Sequence, residues 1–128
     1  MTTVILDTTV IIHLFRRNSA AVEWFRTQKV LFSITPITWM EVIVGTPNKR
    51  AQIELEDMLS GFEMVYLTSS DMDWAMEQMS VFHFSKGVGV MDGFNASVCH
   101  RLKVPIFTHN VKDYLKMLSA DLIVQPYL

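Results

Sequence analysis

Short apolar runs alternate along the chain with longer stretches that begin at residues able to cap a helix. The runs hold three to five residues and are rich in β-branched side chains. Such runs are typical of strands that are buried on both faces. They predict strands at residues 3–6, 30–34, 63–67 and 105–108, with a fifth at 122–124.

The stretches between these strands predict helices with recognisable starts and ends. Thr35-Pro36 places a cap residue before a proline at the first helical position, and Gly45 suits the far end of that helix. Ser70 and Asp73 resemble a capping box at the start of another helix. The predicted helices cover residues 10–15, 19–28, 36–45, 48–60, 70–84, 92–102 and 111–118.

Strands separated by helices predict right-handed crossovers and a parallel central sheet of four to five strands with helices on both faces. The fold class is therefore predicted to be α/β. The chain contains no internal repeat, low-complexity tract or long linker, so residues 1–128 are expected to form one domain.

The composition and net charge of the chain exclude some classes of protein. Half of the 128 residues are hydrophobic, which is ample for a core, and the net charge of −2 excludes a strongly basic nucleic-acid-binding module. No apolar run approaches the ~20 residues that span a bilayer. The first residues lack a basic leader, and one cysteine, Cys99, cannot form an intrachain disulfide. These features favour a cytoplasmic protein without a membrane segment.

Several polar residues lie where function gathers in α/β sheets, just beyond the carboxyl ends of strands. Asp7 ends the first predicted strand, and Asn110 follows the fourth. A helix cap would also explain Asp7, and a cap or a favourable contact with the helix dipole would explain Asp92 near its helix start. For Asn110 and Asp113 the alternative is that they shape the turn and the first helical turn after the strand. Glu41 is different, because it lies in a predicted helix that is apolar almost all round and is therefore expected to be largely buried. A buried carboxylate is costly unless it is paired, hydrogen-bonded or bound to metal.

Taken together, these oxygen donors are able to converge on one point. Gathered carboxylates repel one another, and a divalent cation relieves that repulsion. A set of oxygen ligands without paired Cys or His spacing favours Mg²⁺ or Mn²⁺ over a structural zinc. Sites of this kind often serve phosphoryl chemistry.

The order of these motifs resembles a PIN domain, and most of all the small VapC-like toxins, over essentially the whole chain. The resemblance is carried by 6-LDTTV-10, Glu41 shortly before Gly45, 92-DGFNA-96 and 108-THNVKDY-114. It implies a metal-dependent ribonuclease whose acidic residues bind Mg²⁺ or Mn²⁺.

The resemblance also implies roles for individual residues. Asp7, Glu41 and Asp92 match three acidic ligand positions. The fourth ligand is either Asn110 or Asp113, and the resemblance leaves that choice open. Thr8 and Thr108 match hydroxyl positions that support the site. VapC-like proteins typically dimerise and are blocked by a cognate antitoxin, so a homodimer and an antitoxin partner are expected.

The leading hypothesis is thus a Mg²⁺- or Mn²⁺-dependent endoribonuclease, the toxin of a VapBC-type pair. The alternative is a PIN-fold module that binds RNA or protein with little or no catalysis, which the neutral Asn110 and the mildly acidic chain would suit. Phe15, Trp24 and Phe25 on the first two predicted helices suggest an apolar groove for a partner helix or a dimer face.

Overall fold

A computed structural model describes residues 3–128 and shows a five-stranded sheet in which every neighbouring pair of strands is parallel. The strand order is β3-β2-β1-β4-β5, so the first strand lies in the centre of the sheet. The strands are β1 (Thr3–Leu6), β2 (Leu31–Ile34), β3 (Glu63–Met64), β4 (Ile106–Phe107) and β5 (Ile123–Val124). The predicted class and the parallel sheet are confirmed.

Within residues 3–128, seven α-helices flank the sheet and complete an α/β domain. They are α1 (Thr8–Phe15), α2 (Ser19–Arg26), α3 (Pro36–Val44), α4 (Lys49–Leu59), α5 (Ser69–Lys86), α6 (Val90–Leu102) and α7 (Val111–Tyr114), and a 3-10 turn (Ala120–Leu122) precedes β5. Across residues 3–128 no helix combines the length and the apolar character needed to cross a membrane.

The alternation of side chains along β1 divides the core into two layers. Val4 and Leu6 belong to a cluster formed with α1, α3 and α4, whereas Ile5 belongs to a cluster formed with α6 and α7. Because successive side chains of a strand point to opposite faces, the all-apolar run of β1 is what a strand covered on both sides requires.

The register brings the polar residues that follow the strands to one edge. Leu6 of β1 lies beside Phe107 of β4, and the amide of Asp7 donates to the carbonyl of Phe107 at 3.0 Å. Asp7 and Thr108 are therefore neighbours in space although 101 residues separate them. This is the edge at which the sequence predicted a site.

Several predicted boundaries were wrong. The third strand ends at Met64 instead of residue 67, and the seventh helix ends at Tyr114 instead of residue 118. Helix α6 begins at Val90 with Gly89 as its N-cap, so Asp92 lies inside its first turn.

The predicted capping box at Ser70 and Asp73 was also wrong, by two residues. Thr68 is the extended N-cap of α5, its hydroxyl accepts from the amide of Asp71, and the Asp71 carboxylate accepts from the amide of Thr68. The reciprocal geometry requires the acid three residues after the cap, and Thr68 with Asp71 satisfies it earlier in the chain.

Asp71 also joins the start of α5 to the end of α6. Arg101 donates from Nε to its Oδ1 at 2.8 Å, and the Asp71 side chain is 2% exposed. Burial alone would raise the pKa of Asp71, but the hydrogen bonds from Arg101 and Thr68 outweigh it and lower that pKa below 3.8. Asp71 therefore serves as a helix cap and as a buried partner for a cation.

We expect Asp71→Asn to lower the free energy of unfolding by about 2 kcal/mol near pH 7, because it removes a charged hydrogen bond and weakens a cap. The contribution is present above the unfolded-state pKa and is lost as the pH falls through the lower folded-state pKa. Urea unfolding should show the two proteins converging below about pH 3.8, the ordinary pKa of the group.

Asp73→Asn is the matched control, since Asp73 lies on the same helix but is exposed. Its effect should stay within about 0.5 kcal/mol. Equal effects of the two substitutions at neutral pH would contradict the role given to Asp71.

Candidate active site

Asp7 is the most deeply placed acid at the carboxyl edge of the sheet. It is 2% exposed, and although it occupies the N-cap position of α1 its side chain does not cap that helix. Instead, Thr108 donates to its Oδ2 at 2.7 Å and Tyr114 donates to its Oδ1 at 2.9 Å. A buried carboxylate needs such partners. The helix-cap explanation therefore fails for the Asp7 side chain.

Glu41 approaches from α3 and is held by α1. The hydroxyl of Thr8 donates to Glu41 Oε1 at 2.8 Å. The expectation that this helix is largely buried was wrong, since Met40 and Val44 are 50% and 85% exposed. Glu41 is half-buried against α1.

Asp92 lies in the first turn of α6, and the charges of the other acids affect its pKa. Its pKa is raised from 3.8 to about 6. Burial is the largest cause, followed by the negative charges of Asp7 and Asp113, with a smaller contribution from Glu41. The hydroxyl of Tyr114 acts in the opposite direction and lowers the pKa of Asp92. Because salt screens charges that are more than about 10 Å apart, the effect of Asp7, Asp113 and Glu41 on Asp92 indicates that the four acids share one region, called here the acidic cluster (Asp7, Glu41, Asp92 and Asp113).

Asp113 and Asn110, the two candidates for the fourth ligand, are connected to the site in different ways. Asp113 lies in α7, its side chain is 45% exposed, and Lys116 Nζ lies 3.2 Å from its Oδ1. The exposed Asn110 precedes α7, but its side chain does not cap that helix. The backbone N–H of Asn110 donates to the Thr108 hydroxyl at 2.9 Å. Asp113 thus acts on Asp92 by its charge, whereas Asn110 is tied to the site through its backbone.

The acidic cluster fits a hard divalent cation by its chemistry. Every donor is a carboxylate oxygen, the set that Mg²⁺ and Mn²⁺ prefer. Among residues 3–128, no three Asp, Glu, His or Cys side chains already stand in the arrangement of a metal site. The fit therefore rests on charge, because the repulsion that raises the pKa of Asp92 is what a bound cation would relieve.

Two polar residues that organise this region were missed as site residues by the sequence reasoning. Tyr114 is fully buried and bonds Asp7. Asn95 is fully buried one turn after Asp92, accepts from the Thr35 hydroxyl and donates to the Thr38 hydroxyl at 3.0 Å, which joins α6 to the start of α3. An amide three residues after Asp92, on a helix face otherwise made of small and apolar side chains, was the available signal for Asn95.

His109, the histidine nearest the predicted site in sequence, belongs to a different cluster. Its ring lies 4.9 Å from the ring of His13 and 4.5 Å from that of Tyr127, measured between centroids. His13 Nδ1 also lies 2.8 Å from the Tyr127 hydroxyl. The His109 ring is thus packed against the chain's C-terminal segment.

An apolar groove of about 420 Å³ lies between α1, α3 and α4. The apolar part of its lining includes Ile11, Ile12, Phe15, Val42 and Leu55. Arg16 is the charged residue of the lining. Phe15 was expected to border such a groove. Trp24 and Phe25 were expected there as well, but both rings pack on Phe32, at 5.4 Å each between centroids. Phe25 also lines a second, smaller apolar groove of about 210 Å³, together with Leu14 and Met58.

The raised pKa of Asp92 predicts how the metal-free protein responds to pH. Folding favours the protonated carboxyl, so its stabilising effect is full below pH 3.8 and is lost as the pH rises through about 6. Asp92→Asn should therefore be more stable than the wild type at pH 8, by about 1–2 kcal/mol, and nearly equal at pH 4. Urea unfolding with a chelator present measures both differences. A variant less stable than the wild type at pH 8 would contradict this reading.

Comparison with solved structures finds the same fold in bacterial toxin–antitoxin complexes. One from Klebsiella pneumoniae superposes with a TM-score of 0.78 at 21% identity, covering 97% of this chain and 98% of that one. VapBC-1 from nontypeable Haemophilus influenzae gives 0.74 at 22% identity, with 97% of each chain covered. VapC20 from Mycobacterium tuberculosis, described as a toxin that cleaves the sarcin-ricin loop, gives 0.75 at 10% identity, covering 91% and 96%.

At these identities the structural likeness establishes the fold alone. No curated protein matches the chain in sequence. The model of the PIN domain family does match, over residues 4–116, which span every strand except β5 and all seven α-helices. The chain therefore belongs to the PIN domain family.

Proposed function

We propose that this protein is a Mg²⁺- or Mn²⁺-dependent endoribonuclease and the toxin of a VapBC-type pair. The observation that carries the proposal is the acidic cluster, in which the buried Asp7 accepts from hydroxyl groups on both of its oxygens and the charges of Asp7, Glu41 and Asp113 all act on Asp92. A purely structural role does not explain four mutually repelling carboxylates at the functional edge of an α/β sheet.

Asp7 and Asp92 would be direct ligands of the cation. Glu41, fixed by Thr8, would hold a second cation or orient the attacking water. Asp113 is the better choice for the fourth acidic position, because its charge already acts on Asp92. When bound, the cation supplies water activation and neutralises charge that develops on the phosphodiester oxygens.

Hydroxyl side chains of the protein hold two of the proposed ligands in position. Thr108 and Tyr114 keep Asp7 in one orientation, and Thr8 does the same for Glu41. Without the four acids of the cluster the formal net charge would be +2, so the remaining surface need not repel RNA. Lys112 and Lys116 on and beside α7 are the basic residues nearest Asp113 in sequence, and they suit contacts to phosphates.

The second candidate is a PIN-fold module that binds RNA or protein without cleaving it. Two observations favour it: the neutral Asn110 is exposed, and Lys116 pairs with Asp113, so an internal cation already occupies part of the cluster. Binding by such a module would survive both chelation and Asp92→Asn.

Cleavage of a mixed pool of single-stranded and structured RNA decides between the two. We expect the wild type to cleave in Mn²⁺ or Mg²⁺ and to stop when the metal is chelated. The double variant Asp7→Asn/Asp92→Asn should lose at least about 100-fold in rate, because two ligands lose their charge.

Asp73→Asn/Asp121→Asn is the matched control, since it removes two exposed acids outside the cluster and should cleave like the wild type. Cleavage that is independent of metal and unchanged in the Asp7→Asn/Asp92→Asn variant would refute the nuclease mechanism. RNA binding without cleavage by a stable wild type supplied with metal would favour the binding module.

The toxin role requires a protein partner, and the groove between α1, α3 and α4 suits one. Its lining is mainly apolar, its volume of about 420 Å³ accommodates several side chains, and Arg16 offers a charge for an acidic residue. These features suit an amphipathic helix of an antitoxin, which presents apolar anchors on one face. The similar structure from Klebsiella is a toxin–antitoxin complex, which supports this assignment.

Growth tests check the partner. Expression of the chain alone should arrest bacterial growth, and a library from the source genome should yield a clone that restores it. Ala51→Arg, which fills the groove, should stay toxic but escape rescue by that clone, because the partner's apolar anchors no longer fit. Ile53→Arg, on the exposed part of the same helix, should be rescued normally.

Equal rescue of the two variants would show that the partner binds elsewhere.

Homodimerisation stays a prediction, for which the exposed Met72 and Met76 on α5 offer apolar surface. A cytoplasmic location also stays a prediction.

A further inference from the structure

Tyr114 places the one hydroxyl of α7 inside the core, against Asp7. The residue is fully buried, and its ring packs in the cluster that contains Ile5, Ala96 and Cys99. Its hydroxyl donates to Asp7 Oδ1 at 2.9 Å. Packing alone does not call for this hydroxyl, because a phenylalanine ring would fill the same space without placing a polar group in the core.

The hydroxyl gives the Asp7 carboxylate a donor on its second oxygen. Thr108 reaches Oδ2 at 2.7 Å from the end of β4, and Thr9 reaches the same oxygen at 3.4 Å, whereas Tyr114 reaches Oδ1 from α7. Donors on both oxygens fix the plane of the Asp7 carboxylate, since rotation about its Cβ–Cγ bond would break these hydrogen bonds. Among residues 3–128 Tyr114 is the only side chain that donates to Oδ1, so its loss would leave that oxygen without an anchor.

The charge of the second central acid also reaches Tyr114. Burial is the largest cause that raises the pKa of Tyr114, and the negative charges of Asp7 and Asp92 follow it. Because an ordinary phenol is already protonated at neutral pH, Tyr114 donates to Asp7 without adding a third charge to this region.

We infer that Tyr114 is a positioning residue of the metal site, which holds the Asp7 carboxylate in the orientation that binds the cation. The inference rests on the proposed function, because it assigns a role toward the cation that the acidic cluster is proposed to hold. It assigns no proton transfer and no contact with RNA to Tyr114.

Mn²⁺ titration calorimetry at a fixed pH tests this role without measuring catalysis. Tyr114→Phe removes only the hydroxyl and should weaken Mn²⁺ binding about tenfold, the effect of losing one charged hydrogen bond. Thr108→Val, which leaves Oδ2 with the longer hydrogen bond from Thr9, should weaken it by a smaller factor, whereas Thr108→Ser should keep nearly full affinity because it retains a hydroxyl.

Tyr127→Phe is the control for loss of a phenol outside the acidic cluster, since that hydroxyl bonds His13. It should bind Mn²⁺ like the wild type. Cys99 reports whether the core around Tyr114 is intact, because its thiol is fully buried in the same cluster and burial raises its pKa to about 12. It should stay unreactive toward a thiol reagent in every folded variant.

The outcomes separate the inference from the proposed function. If the wild type binds Mn²⁺ and Tyr114→Phe binds within twofold of it, the role of Tyr114 is overturned while the proposed metal site stands. If Tyr114→Phe weakens binding and also makes Cys99 reactive, the effect is a disturbed core and the inference is again overturned. If the wild type binds no Mn²⁺, both fail.

Discussion

Repulsion among four carboxylates at one edge of the sheet is the constraint around which this structure is arranged. Asp7, Glu41, Asp92 and Asp113 come from four different helices or their boundaries, and their charges meet at Asp92. Such a cluster opposes folding unless hydroxyl donors, a nearby cation or a bound metal offset it. The chain provides the first two itself, through the hydroxyl donors to Asp7 and Glu41 and through Lys116 beside Asp113.

The parallel sheet is what makes this convergence possible. All five strands end at the same edge, so residues that follow different strands become neighbours without long loops. Asn95 joins α6 to the start of α3, because its buried side-chain amide makes hydrogen bonds with two threonine hydroxyls of the β2–α3 region. A fully satisfied buried polar group of this kind favours one arrangement over others.

Local pattern predicted much of this arrangement but not the contacts between distant segments. The apolar run of β1 and the proline at the start of α3 are local signals, and both elements formed as expected. The Asp7–Tyr114 hydrogen bond spans 107 residues, and no periodicity encodes it. The wrong capping box has a related cause: both Thr68 and Ser70 have an aspartate three residues later, and packing on α6 through Arg101 determines which pair is used.

Two helices carry both features to which a function is assigned. Helix α1 presents Thr8 to Glu41 at its first turn and Ile12 and Phe15 to the groove further along. Helix α3 places Glu41 toward the cluster and Val42, the next residue, in the groove lining. A protein seated in the groove would therefore contact the same two helices that are joined by the Thr8–Glu41 hydrogen bond.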